Sequence, residues 1–336
     1  MNLQAPAAAV QPDGVLRLPR TAVIVAEGAD AASFLHGQLS NDVARLGARE
    51  ARLAAYCSAK GRMLASLLVC RPGPETLWLV LEAALLPATL KRLSMFVLRA
   101  KAKLREGSGE LAVLGLAGPS AARALADAGL TETAAADQPA RAWASAAVDE
   151  DRARLLRLPS ARSAPLAADC PRALWIGPAE RAEAWLAAHP ALAADTWDWL
   201  EVASGVVPVQ AATVEAFVPQ MLNYERVGGV DFRKGCYPGQ EVVARSQYRG
   251  TLKRRGQRVD AEVSLAVGAE VYAADDPGQP AGVVAAAAPR PDGAGWSALV
   301  ELKLAALDSP GLHLGAADGP ALHLQPLPYP LPAEAE

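Results

Sequence analysis

The chain of 336 residues is poor in the side chains that usually announce a chemistry. Aromatic residues make up 5% of it, and it has four cysteines and four histidines. Cys57, Cys70, Cys170 and Cys236 form no C-x-x-C pair, so the disulfide framework of a small secreted protein is excluded. His36, His189, His313 and His323 lack ligand spacing, and no metal site is read. Walker, G-x-G-x-x-G, G-x-S-x-G and H-E-x-x-H motifs are absent. The most apolar stretch, 77–90, is interrupted by Glu82 and Pro87, whereas a span needs about 20 apolar residues. The first twenty residues contain Pro6, Pro12 and Pro19 and no apolar h-region. A cytoplasmic protein without a membrane partner is expected.

An excess of charge of one sign is also lacking: Lys and Arg total 33, Asp and Glu 36, for a net −3. Coating of nucleic acid by bulk charge is excluded and direct DNA binding is not expected, although a local basic patch is still allowed. Alanine is abundant instead, at 74 residues, so the 51% hydrophobic content overstates the core. The length suggests two or three domains at about 100–200 residues each.

Patterning predicts an α+β protein. Asp30 reads as an N-cap, and Leu35, Leu39, Val43 and Leu46 follow at helical spacing. Residues 53–56 and 63–69 read as strands joined by a polar turn at 58–62, and 76–81 as a third strand. Leu86, Leu90, Leu93 and Val97 mark a helix. Residues 111–116 read as a strand and 118–128 as a helix closed by Gly129. Residues 131–150 read as an Ala-rich connection. Strands over 152–158 and 173–176 and helices over 178–188 and 197–204 follow. Beyond Thr251, short apolar runs between Gly, Pro and Asp turns indicate a small all-β module, with an extended tail from Pro326.

The densest chemistry lies in Lys234-Gly235-Cys236-Tyr237-Pro238-Gly239-Gln240-Glu241. Pro238 can serve as N1 of a helix through Arg245, whose start can hold an anion. Cys236, beside Arg233, Lys234 and that helix start, has the setting of a reactive thiolate. Gln240 and Glu241 can read the donor and acceptor edge of a heterocycle. A turn whose glycines serve only the backbone, around a buried inert cysteine, explains the same residues, and both readings stay open. Nine basic residues between 225 and 258 face three acidic ones. A second run, Lys91, Arg92, Arg99, Lys101, Lys103 and Arg105, contains no acid. Each run suits an anionic ligand or partner, or a solvated face.

Those eight residues resemble the K-G-C-Y-x-G-Q-E signature of the YgfZ family, folate-binding proteins related to the aminomethyltransferase (T-protein) of glycine cleavage. Phe34-Leu35-His36-Gly37-Gln38-Leu39-Ser40-Asn41-Asp42-Val43 and Cys57-Ser58-Ala59-Lys60-Gly61-Arg62-Met63 resemble two further family blocks, and the likeness extends over about residues 21–329. It implies a three-domain ring around a channel. A discontinuous folate-binding core would take 1–50, about 111–145 and 200–248. A ferredoxin-like domain would take about 51–110 and 150–199, a β-barrel 249–329 and a tail 330–336. It also implies tetrahydrofolate or a derivative as cofactor, and iron–sulfur client proteins, tRNA-modifying enzymes among them, as partners. Under this resemblance Cys236 and Lys234 are the candidate catalytic residues. Trp197, Tyr237, Gln240, Glu241 and Arg245 are the candidate folate contacts. Thr21 stands where the family can carry a second tryptophan. A folate-dependent one-carbon transferase and an RNA- or protein-binding module using the basic 225–258 surface are the alternatives.

Overall fold

The computed structural model describes residues 9–131, 143–150, 152–248 and 252–331. Strands β1 (Gly14–Arg17), β2 (Thr21–Glu27), β3 (Ala51–Cys57), β4 (Met63–Gly73), β5 (Thr76–Glu82) and β6 (Lys103–Glu106) come first, with helices α1 (Ala31–His36) and α2 (Leu86–Phe96) among them. Then follow β7 (Leu111–Ala117), α3 (Gly118–Asp127), β8 (Ala144–Val148), β9 (Ala153–Ala161), β10 (Cys170–Pro178), α4 (Ala179–Ala188), α5 (Ala194–Ala203) and α6 (Gln240–Tyr248). The barrel strands are β11 (Arg254–Ala261), β12 (Glu270–Ala273), β13 (Gly282–Pro289), β14 (Trp296–Lys303), β15 (Leu312–Leu314) and β16 (Ala321–Gln325).

Two five-stranded antiparallel sheets, ordered β3-β4-β5-β2-β6 and β1-β7-β10-β9-β8, share one core, and the last six strands close a barrel. Alternation along β10 explains the layering. Arg172, Leu174 and Ile176 point toward the first sheet, where Leu174 and Ile176 join Leu53, Leu68 and Val80. Ala173 and Trp175 point the other way and pack with Ala121 and Leu125 of α3 and Ala182 of α4. Helix α5 lies against β13 and β14, and Trp199 donates its indole N–H to Ser297 Oγ at 3.1 Å. The α+β expectation and the terminal β module are realised in these layers.

Sheet membership groups the chain differently from the expected domain division. Within 51–110, β5 and β6 pair with β2 from the first fifty residues, and within 150–199, β10 pairs with β7 and β9 with β8, β1 joining that sheet through β7. Helix α1 ends at His36 rather than running on to Leu46. Ser40 Oγ donates to Gly229 O and accepts from Ala55 N, while Asn41 Nδ2 donates to Leu53 O and Gly228 O. These bonds hold the chain in turns, so Leu39, Val43 and Leu46 are buried without being helical. Asp30 makes no side-chain cap; its carboxylate accepts instead from Lys101 N at 2.7 Å. The 131–150 connection contains strand β8, and residues 132–142 lie outside the described residues. The Pro-rich end is anchored by Tyr329, whose buried hydroxyl donates to Gly205 O at 2.7 Å. Among the described residues no helix is long and apolar enough to cross a membrane.

Candidate functional site

The signature loop is built on a turn. Gln240 N donates to Tyr237 O at 3.2 Å across Pro238-Gly239, and Gly239 has φ +78°, the geometry of a Pro-Gly type II turn. Val243 N then donates to Gly239 O, so helix α6 begins at Gln240 and Pro238 precedes it instead of standing at N1. Cys236, four residues before the helix, is exposed and lies outside its first turn.

Lys234 is turned inward and buried. Its Nζ donates to His36 O and to Leu39 O, the latter at 2.8 Å, and lies 4.8 Å from the Tyr237 ring centroid. It satisfies carbonyls left open at the end of α1. Burial lowers the Lys234 pKa to about 8, against the opposing pull of Asp42, Asp231 and Cys236. Beside it, His36 Nδ1 lies 3.0 Å from Asp42 Oδ1. Burial alone would raise the Asp42 carboxyl, but the Arg45 backbone N–H with His36, Arg52 and Arg45 holds it below its ordinary value. Tyr237 is buried, which raises its phenol, helped by Cys57. Gln240 is half-buried; exposed Glu241 and Arg245 pair at 2.8 Å one helical turn apart.

A second constellation lies between the two sheets. A cavity of about 120 Å³ is enclosed by Leu53, Leu68, Val80, Leu158 and Leu174, with Thr21, Glu82, Arg172, Glu201, Trp143 and Tyr224 in its wall. Glu201 is half-buried in the cavity wall, and among the described residues no hydrogen bond or ion pair takes its carboxylate. Burial raises its pKa to about 7; Arg172 and Arg20 oppose the rise, and Asp198 and Glu82 add to it. Arg172 is buried, donates Nε–H to Pro159 O at 3.1 Å and leaves Nη1 without a partner among the described residues. Its guanidinium covers Trp197 at 5.4 Å from the ring centroid. Trp197 and Glu201, four apart on α5, share one helix face. Trp143, with its indole N–H held by Val227 O at 2.7 Å, also borders a wider cleft of about 710 Å³. Arg52, Phe232, Arg233 and Tyr248 line that cleft.

The structure thus brings Lys234, Cys236 and Tyr237 together in one loop, with Gln240, Glu241 and Arg245 on the adjoining helix. None of the six lines either cavity. Trp197 is 3% exposed, beneath Arg172 rather than in the cavity wall. Sequence reading missed Arg172 and Glu201. The available signal was a charge inside an apolar strand (CPRALWIG) and another inside an apolar helix turn (WLEVA). The basic residues of 225–258 do not form one charged face. Arg254, Arg255 and Arg258 pair with Glu301, Glu225 and Asp260, Lys234 faces carbonyls, and Arg249 lies outside the described residues.

Comparison with known proteins agrees with this layout. Residues 15–159 match the GCVT N-terminal domain. The chain is 33% identical over 267 residues to the tRNA-modifying protein YgfZ of Edwardsiella ictaluri, covering 76% of this chain and 75% of that one. It is 33% identical over 255 residues to the protein of the same name from Klebsiella pneumoniae, covering 73% and 72%. The fold superposes on the glycine cleavage system aminomethyltransferase T of Bartonella henselae with a TM-score of 0.69 at 18% identity, covering 95% of this chain and 87% of that one. The two ferredoxin-like sheets and closed six-stranded barrel are the architecture of that fold.

Proposed function

This chain belongs to the YgfZ family, and from that premise we propose that it binds tetrahydrofolate between its two sheets and serves the assembly or repair of iron–sulfur proteins, tRNA-modifying enzymes among them. The observation that carries the reading is the Glu201 carboxylate, half-buried in the cavity wall without a hydrogen-bond partner among the described residues, with the open Nη1 of the buried Arg172 in the same wall. A partly desolvated carboxylate and a buried guanidinium are costly unless something pairs with them. A reduced pterin supplies what both lack. Its 2-amino group and N3–H form a donor pair for Glu201, and its 4-oxo oxygen accepts from Arg172. The residues present therefore fit the ring, and the leucine walls suit its apolar faces. Bound folate would supply a carrier for one-carbon groups. Trp143, shared by cavity and cleft, marks the path by which a folate's tail would leave toward Arg52 and Arg233.

In this reading the signature loop has a different task from the pterin site. Lys234 holds the loop against α1, and Cys236 is presented outward for a client protein or its cluster chemistry. Gln240, Glu241 and Arg245 belong to that outer face. Calorimetric titration with tetrahydrofolate tests the central claim. Saturable binding to the parent chain, weakened in Glu201→Gln and Arg172→Met, is expected; no saturable binding at accessible folate concentrations ends it.

A further inference from the structure

The far end of α2 carries a surface that neither the folate site nor the signature loop uses. Met95, Phe96 and Leu98 are 57%, 46% and 85% exposed, three large apolar side chains within four residues. Scattered single apolar residues need no explanation, but a contiguous group with a charged rim does. Leu98 has φ +43°, a left-handed conformation that costs a side-chain-bearing residue about 1–2 kcal/mol. In that conformation Leu98 stands almost fully in solvent. Around it stand Lys91, Arg99, Lys101 and Lys103, all exposed and none in an ion pair among the described residues. Arg105, at the end of the run, is different: it pairs with Glu27 and Glu110. Lys91 stands one helical turn before Met95, on the same side of α2.

We propose that this surface docks an acidic amphipathic helix of a partner protein. The helix would lay its apolar stripe over Met95, Phe96 and Leu98 and its carboxylates against Lys91, Arg99, Lys101 and Lys103. Charge complementarity selects this occupant, since no acidic residue interrupts the run from 91 to 105. A second copy meeting the patch about a two-fold axis would set cation against cation. RNA would need a stacking face, and the one aromatic ring here, Phe96, has Arg92 over it at 5.9 Å from the centroid. A membrane-lying helix needs an apolar face along its length, but Leu86 and Leu93 of α2 are buried in the chain's own core. The surface is independent of the folate reading.

The test uses the full chain and a synthetic peptide of about 18 residues with leucines at helical spacing and glutamates elsewhere. A second peptide has lysines in place of the glutamates. Leu98→Gly removes the side chain and suits the positive φ, so the variant folds normally; Arg99→Glu with Lys101→Glu reverses two cations. Fluorescence anisotropy is expected to show saturable binding of the acidic peptide at low salt, no binding of the basic one, and a loss of at least about tenfold for either variant. The loss from charge reversal shrinks at high salt. Absence of acidic-peptide binding, or binding that both variants retain, overturns the proposal. So does binding of phosphatidylglycerol vesicles or of an oligouridylate, without the acidic peptide, that is lost in the same variants.

Discussion

Gly61 and Gly239 are pressed together, each in the left-handed region, at φ +71° and +78°. A side-chain carbon on Gly239 would stand 2.6 Å from Gly61 Cα and 2.4 Å from Ser58 O. One on Gly61 would stand 2.8 Å from Val242 Cβ. This contact joins the β3–β4 turn to the signature turn, two blocks 178 positions apart in the sequence. Neither residue can take a methyl group without moving rigid atoms. Gly61→Ala and Gly239→Ala are expected to destabilise the chain by about 2–4 kcal/mol each, combining φ strain with overpacking. Urea unfolding measures this, and a change below about 1 kcal/mol would show that the turns can separate freely.

Lys234 makes a prediction with a sign in pH. Its proton leaves the folded chain at about 8, against an ordinary 10.5. Between those values the unfolded chain binds more protons, so stability contributed by this group rises with pH across that window. Lys234→Met removes that rise and also leaves His36 O and Leu39 O without their donor. The variant is expected to be less stable at pH 7 by about 1–3 kcal/mol, with a flatter profile from 8 to 10.5. A parent and variant with parallel profiles would remove Lys234 from the titration.

Glu201 runs the opposite way. Burial raises its folded pKa from 4.5 to about 7, so its protonated form is stabilising below 4.5, and that contribution is lost as pH rises through about 7. Glu201→Gln should therefore gain stability relative to the parent at pH 8 and little at pH 4.5. In the proposed site tetrahydrofolate pairs with the ionised carboxylate, so its affinity should climb from pH 6 to pH 8. Loss of a charged hydrogen-bond acceptor costs about 1.5–3 kcal/mol, so Gln is expected to weaken binding roughly ten- to a hundredfold. An affinity independent of pH, unchanged in the Gln variant, would place the pterin elsewhere.

Fluorescence distinguishes the two tryptophans near the cavity. Trp143 is part of its wall, whereas Trp197 is screened by Arg172. Bound pterin should quench Trp143 directly, so Trp143→Phe should abolish most of the signal while Trp197→Phe keeps it. The reverse result would return the pterin to the Trp197 face.

Much of this architecture was legible in the sequence where apolar runs stand between clear turn residues. The β3–β4 pair and β14 are near-continuous apolar runs bounded by turns, and α2 follows its helical period with Leu86 and Leu93 inward. Strand β2 was not read; Val23, Ile24, Val25 and Ala26 are buried on both faces, and such a short apolar run carries no period of its own. The helical spacing after Asp30 misled because Ser40 and Asn41 redirect the backbone through tertiary hydrogen bonds. At the site, the signature loop was visible as a motif. The Arg172–Glu201 constellation was not, since β10 and α5 bring these residues to one cavity only after the sheets pack.

Cys236 differs from the other three cysteines by position alone. Cys57, Cys70 and Cys170 are buried. Burial pushes Cys57 and Cys70 up to about 12 and raises Cys170, where the Gly118 backbone and Arg172 pull against it. A thiol with a pKa of about 12 holds roughly one thiolate in 10⁴–10⁵ near neutral pH, and the thiolate is the species that alkylates. Cys236 is exposed, so iodoacetamide at pH 7.5 should label it at least about a hundredfold faster than the other three, as peptide mapping by mass spectrometry would show. Because its side chain packs against little, Cys236→Ser should change stability by less than about 0.5 kcal/mol. The same variant should fail to restore iron–sulfur enzyme activity in cells lacking the native protein, since serine supplies no thiolate. Equal labelling of all four cysteines would contradict the burial argument. Full complementation by the serine variant would move the loop's function away from sulfur, to the outward side chains of Gln240, Glu241 and Arg245.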